Sequence, residues 1–209
     1  MGLRERKKQQ TRELLAETAR RLFTERGFER VSVAEIAREA DVSEKTVFNY
    51  FPTKEDLVYW RLETFEEELL EAIRSRAEGE SVLDAFGRFV AAPRGMLASH
   101  DEATRERLAA LSRMIASSPA LLAREQQIFA GYTDSLAALI AVETETSGIE
   151  PWVAANAMMG VHRALVSYAR ERIVAGADAE ALARDVREEA DRALARLAKG
   201  FSDYGVKGR

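Results

Sequence analysis

Three observations predict an all-α protein. Apolar residues recur at helical spacing along nearly the whole chain, with almost no strand-like alternation. Four prolines and twelve glycines among 209 residues leave room for long uninterrupted helices. Helix-start chemistry, a Ser, Thr or Asp followed by an acid or a proline, stands ahead of most of the apolar stripes.

The first stripe is Leu14, Leu15, Ala19, Leu22 and Phe23. Thr11 can begin that helix and Gly27 stops it. Next, Ser32-Val-Ala-Glu35 has the form of a capping box: the Ser32 hydroxyl accepts from the Glu35 N–H while the Glu35 carboxylate reaches back to the Ser32 N–H. Val31 and Ile36 sit at the staple positions of this short second helix, which ends near Ala40. Asp41-Val42-Ser43 is a three-residue turn, with Asp41 able to take left-handed backbone. Ser43 caps a third helix that runs to about Tyr50 or Phe51, where Pro52 ends it. Thr53-Lys-Glu-Asp56 starts a fourth, continuing to about Arg76 with Val58, Leu62, Phe65, Leu69 and Ile73 on one face. Later helices are expected over Ser81–Ser99 (ended or kinked at Pro93), Glu102–Ser117, Pro119–Glu145, Pro151–Ala175 and from Asp178 to about Phe201. The last carries Leu182, Val186, Ala190, Leu194, Leu197 and Phe201 as its stripe. About nine helices result.

Composition removes several kinds of chemistry. There is no cysteine, hence no disulfide, thiolate metal site or cysteine nucleophile. The two histidines, His100 and His162, are too far apart for a helical zinc pair. No apolar run approaches the roughly 18 residues of a membrane span. The start, MGLRERKKQQ, lacks the apolar core of a secretory signal, and Arg6 stands where a myristoylation motif wants Ser or Thr. A cytoplasmic protein with no membrane partner is expected.

Charge is distributed unevenly. The net charge is −4, but residues 1–12 hold five cations (Arg4, Arg6, Lys7, Lys8, Arg12) against Glu5. A basic arm on an acidic body is compatible with local DNA contact; a solvated terminus has the same composition.

Three short helices with a three-residue turn between the second and third have the form of a helix-turn-helix. At about 100° per residue, with Thr46 at 0°, Val47 lies at about 100°, Phe51 at 140° and Phe48 at 200°. Lys45 then lies at about 260°, Asn49 at 300° and Tyr50 at 40°. Val47, Phe48 and Phe51 are expected to pack inward. Lys45, Thr46, Asn49 and Tyr50 form an opposite arc of the donors and acceptors that bind phosphates and base edges. An ordinary amphipathic helix with a polar outside has this pattern too; the basic arm, capped second helix, tight turn and Lys54 at a helix start favour the nucleic-acid reading.

From Thr11 to Leu57 the chain resembles the tetracycline-repressor (TetR) family of bacterial regulators. The resemblance rests on TARRLFTERGFERVSVAEIAREADVSEKTVFNYFPTKEDL, residues 18–57. It is carried by LF..RGF in the first helix, S/T-V-..-IA..A.V in the second and VS..T.F.YF..KEDL across the third and fourth. It covers about a quarter of the chain. It implies a homodimeric repressor, with a DNA-binding domain at 1–53 and a helical ligand-binding and dimerisation domain at 54–209. It implies phosphate contacts from Ser32, Ser43, Thr46, Tyr50 and Lys54, and base-edge contacts from Glu44, Lys45, Val47 or Phe48, with Asn49 adjacent. Arg4, Lys7 and Lys8 of the arm would follow the backbone or enter the minor groove. The family often has Gly at the positions of Asp41 and Lys45 and Tyr at that of Phe48, so no relative's operator transfers to this chain.

In the body, the stretch WVAANAMMGVHRAL suggests close helix packing at a dimer interface, with Trp152, Met159 and Gly160 as candidates. Candidate effector contacts are Phe86, Phe89, Met96, His100, Arg113, Met114, Phe129, Tyr132, Met158 and His162. Aromatic and methionine side chains at helical spacing are also ordinary core. A small, mainly apolar effector is expected, with no cofactor and no metal. The expected partners are thus palindromic double-stranded DNA, a second copy of the chain and a small molecule. Activation rather than repression is open, as is a carrier role without DNA binding. Groups such as Glu143, Glu145 and His162 could in principle do acid–base work, but there is no nucleophile motif, phosphate loop or metal constellation to go with them.

Overall fold

The computed structural model describes residues 2–60, 62–92 and 101–200. Their regular elements are ten helices: α1 (Leu3–Arg26), α2 (Val33–Glu39), α3 (Glu44–Tyr50), α4 (Asp56–Tyr59), α5 (Leu62–Arg74), α6 (Val82–Ala91), α7 (Glu102–Ser117), α8 (Pro119–Thr144), α9 (Glu150–Val174) and α10 (Ala179–Lys199). No strand occurs among the described residues.

The chain forms two compact units, positions 1–63 with 113–126, and positions 64–112 with 127–209. The first has its own core of Leu15, Ala19, Leu22, Phe23, Phe28, Val31, Ile36, Val47, Phe51 and Leu57, all nearly inaccessible. α1 packs on α2 and α4, and α2 on α3. This unit extends past position 53 because its core and hydrogen bonds do. The Tyr59 hydroxyl donates to the Leu121 carbonyl at 3.0 Å, Arg124 Nε pairs with Asp56 at 2.8 Å, and the Ser118 hydroxyl donates to Glu29 at 2.7 Å.

Two expectations about its helices are corrected. α1 begins at Leu3, not Thr11, so the basic arm is the first two turns of a helix. The long helix expected from Lys54 is two helices, α4 and α5. α4 is held in the first unit by buried Leu57 and Tyr59, whereas Leu69 and Ile73 of α5 are buried in the second.

In the second unit α10 packs on α9 and α6, around Phe86, Phe89, Leu136, Ile140, Met158, Met159, Leu182 and Ala190. Gly87 lies where a Cβ would come within 2.9 Å of a Leu194 methyl, so α6 and α10 approach closely. Ser81 and Asp178 cap α6 and α10 through bonds to Asp84 N, and to Glu180 N and Ala181 N. Beyond Ala92, the expected Ser81–Ser99 helix lies outside the described residues, as do Phe201 and the tail.

Candidate nucleic-acid interface

The helix-turn-helix is built by local chemistry. Ser32 caps α2 with both halves of the capping box present: its hydroxyl accepts from Glu35 N at 3.2 Å, and Ser32 N donates to Glu35 Oε2 at 2.9 Å. That backbone bond, then the Ser32 hydroxyl, then Arg26 hold the Glu35 carboxyl below the usual range. α2 ends in a Schellman arrangement, with Val42 N donating to Ala37 O and Asp41 N to Arg38 O. Asp41 takes φ 54°, the left-handed backbone this turn requires. Ser43 then caps α3, accepting from Thr46 N at 3.1 Å.

α3 presents a face rotated from the expected one. Val47 and Phe51 are each 1% exposed, but Phe48 is 46% exposed. Glu44, Lys45, Phe48 and Asn49 form the exposed arc, and Thr46 and Tyr50 are half-buried flanks. Two corrections follow. Phe48 is not a core residue, because the small core between α1, α2 and α3 is already filled by Val47 and Phe51. Val47 cannot offer its side chain to a base edge, because it is inside. Lys45, Asn49 and Tyr50 make no side-chain hydrogen bond or ion pair among the described residues, so their polar ends are open to a ligand.

Lys54 is committed elsewhere. Its Nζ donates to Phe28 O at 2.9 Å and Val31 O at 3.0 Å and sits 4.0 Å from the Phe28 ring centroid. The side chain ties the start of α4 to the loop between α1 and α2. The Ser32 hydroxyl is likewise engaged, donating to Glu35 Oε2 at 2.9 Å. Ser43 and Thr46 share a 2.8 Å hydroxyl contact. At the chain start, Arg4, Lys7 and Lys8 are exposed at i, i+3 and i+4 on one face of α1. A helix about 10 Å or more across does not enter a minor groove roughly 6 Å wide, so that face suits backbone phosphates instead.

In the second unit, three of the candidate effector residues meet at Phe65, and a fourth, Phe129, packs on two of them. Phe65, read only as part of a helix stripe, stacks on His162 (centroids 4.6 Å) and Tyr132 (5.7 Å) and meets Phe89 edge-on (5.3 Å). Phe129 packs on Tyr132 at 6.1 Å and on His162 at 5.4 Å. Burial pushes the His162 imidazole down to about 4, with the Arg163 charge adding to the effect. Phe86 and Met158 are buried in the same unit. Arg113, exposed, and Met114, half-buried, belong to the first unit. Met96 and His100 lie outside the described residues. A separate cleft of about 360 Å³ lies between Glu102, Arg105 and Leu108 of α7 and Ile173, Ala177 and Leu182, and none of the candidate effector residues lines it. Among the described residues no His, Asp or Glu cluster could hold a metal ion, and no helix is long and apolar enough to cross a membrane.

A capped α2, a left-handed turn and an α3 with an open polar face define a helix-turn-helix DNA-binding domain on an otherwise helical chain. The family described as "Bacterial regulatory proteins, tetR family" matches residues 15–59. The transcriptional regulator TcmR of Streptomyces glaucescens is 35% identical over 85 residues, 41% of this chain and 38% of that protein. The regulator LuxR of Vibrio harveyi is 57% identical over 44 residues, 21% of this chain and 22% of its own. This chain therefore matches well under half the length of these curated relatives. In fold, it is similar to NalD, the secondary repressor of the MexAB-OprM multidrug efflux pump in Pseudomonas aeruginosa, with TM-score 0.55, 20% identity and coverage of 88% and 97% of the two chains. Residues 15–59 thus match the model of the TetR family of bacterial regulators, and the likeness to NalD is one of fold.

Proposed function

We propose that the chain is a homodimeric repressor that binds a palindromic DNA operator and is released by a small, mainly apolar effector. The observation that carries the DNA reading is the face of α3, where Lys45 and Asn49 stand exposed and unpartnered beside half-buried Thr46 and Tyr50. Lys45 suits guanine O6/N7 and Asn49 adenine N6/N7. Thr46, Tyr50 and the Arg4, Lys7, Lys8 face supply backbone contacts that fix register. The DNA-binding head is the segment 1–53 within the first compact unit, and effector binding and dimerisation fall to the second unit, within 54–209.

Dimerisation is supported by α9. Trp152 and Val153 are each 55% exposed, and Ile149 just before the helix is 77% exposed. A Cβ at Gly160 would meet nothing within 4 Å, which leaves room for a second helix. Met159, by contrast, is fully buried within its own chain and leaves the list of interface candidates. Two recognition helices roughly 34–36 Å apart read successive major grooves of a palindrome. The effector reading rests on the aromatic cluster around Phe65, whose neutral His162 suits an apolar guest. Release requires that the effector prefer the DNA-incompetent arrangement, by about 5.5 kcal/mol for a near-complete switch.

The test is fluorescence-anisotropy titration of the full chain against its own upstream intergenic DNA and a scrambled control, at several salt concentrations. Salt-dependent preference for the upstream DNA, saturating at two protomers or a multiple of two, is the expected result. A protein with no salt-dependent affinity for any DNA is not this regulator. A reporter in a deletion strain gives the sign: expression rises if the chain represses and falls if it activates.

A further inference from the structure

Phe48 is out of place for a core residue and suited to one feature of DNA. The phenylalanines Phe23, Phe28 and Phe51 of the same unit are at most 3% exposed. Phe48 is 46% exposed, on a short helix whose inward position is taken by Val47. It lies at i+3 from Lys45 and directly precedes Asn49, within the exposed arc that these residues share with Glu44. Burial within its own chain does not explain an apolar ring there.

The ring has no donor and no acceptor. It can neither bind a phosphate nor take part in the hydrogen-bond code of the base edges. Among the features that base pairs display in the major groove, the one an apolar side chain recognises is the C5 methyl of thymine. We propose that Phe48 is a specificity-determining residue that selects an A·T pair in each half-site by packing on the thymine methyl, beside the pairs read by Lys45 and Asn49. This rests on the DNA-binding reading and deepens it, because it names the base chemistry at one position of the operator.

The consequence is a penalty for removing a single methyl group. Thymine differs from deoxyuridine only in that group, and burying one such carbon is equivalent to about a fourfold change in affinity, or roughly fifteenfold over two half-sites. The experiment begins with selection of bound fragments from a random-sequence DNA pool by the full-length protein. Each thymine of the enriched half-site is then replaced by deoxyuridine, and affinities are measured for wild type, Phe48→Ala and Phe48→Leu. One thymine per half-site should show the penalty with wild type, keep part of it with Phe48→Leu and lose it with Phe48→Ala. Equal melting temperatures of the three proteins are expected, because the ring is not part of the core. An enriched site indifferent to every methyl, or a penalty of equal size in Phe48→Ala, overturns the proposal and leaves the regulator standing. Failure to enrich any sequence overturns both.

Discussion

Replacing Lys54 with methionine distinguishes a phosphate contact from an internal tie. The family resemblance implies the first; the geometry supports the second. The Nζ donates to two carbonyls at 2.9 and 3.0 Å, and the residues that own them, Phe28 and Val31, are 3% and 1% exposed. Methionine retains the aliphatic stem but leaves both carbonyls without this donor and removes the cation from the Phe28 ring. A hydrogen bond to a charged group contributes about 1.5–3 kcal/mol and a cation over an aromatic ring about 0.5–2 kcal/mol. Because these terms are not additive and Lys54 is half-exposed, a net loss of roughly 2–4 kcal/mol in the stability of the first unit is expected. Urea denaturation without DNA measures it. The complementary assay is the salt dependence of DNA affinity. A lysine that neutralises a phosphate contributes about 0.9 to the slope of log K against log salt, once per protomer. Lys54→Met should therefore lower affinity while leaving that slope unchanged, since Lys54 acts by positioning the loop before α2. A slope reduced by about one per protomer, with stability intact, would refute the reasoning and restore Lys54 to the phosphate contacts.

Other outcomes are expected from the same geometry. Tyr50→Phe should weaken binding to specific and scrambled DNA alike, by about 1–2 kcal/mol for a lost bond to phosphate; unchanged affinity in anisotropy titrations removes Tyr50 from the contacts. Ser32→Ala removes the α2 cap and should cost about 1 kcal/mol, read as a lower urea midpoint at unchanged m-value. His162 is held at about 4 against an ordinary 6.5. The unfolded chain therefore takes up this proton first as pH falls, so stability is full above about 6.5 and is lost progressively down to about 4, by at most roughly 3 kcal/mol. His162→Phe cannot titrate, so the stability difference between variant and wild type should shift in the variant's favour between pH 7 and pH 4.5. A difference independent of pH would show that the imidazole is not desolvated.

What was legible in the sequence was what neighbouring residues settle among themselves. The Ser32 capping box, the Ser43 cap, the left-handed Asp41 and the stops at Gly27 and Pro52 act within a few residues, so the capped α2, the turn and α3 could be placed without a structure. The family motif lies on the same local segments. What required the tertiary structure was which way each side chain faces once the helices pack. Phe48 and Val47 are equally apolar as letters; only the space between α1, α2 and α3 decides that one is core and the other is surface. Lys54 reads as a free cation until the α1–α2 loop, over twenty residues earlier, brings two carbonyls to it. Tyr59 of α4 finds its hydrogen-bond partner in Leu121, some sixty residues away. Phe65 becomes the centre of an aromatic cluster only when three other helices deliver Phe89, Tyr132 and His162 to its ring. Short-range backbone chemistry determined α2, the turn and α3 from the sequence alone; long-range packing decided which of their faces remain exposed.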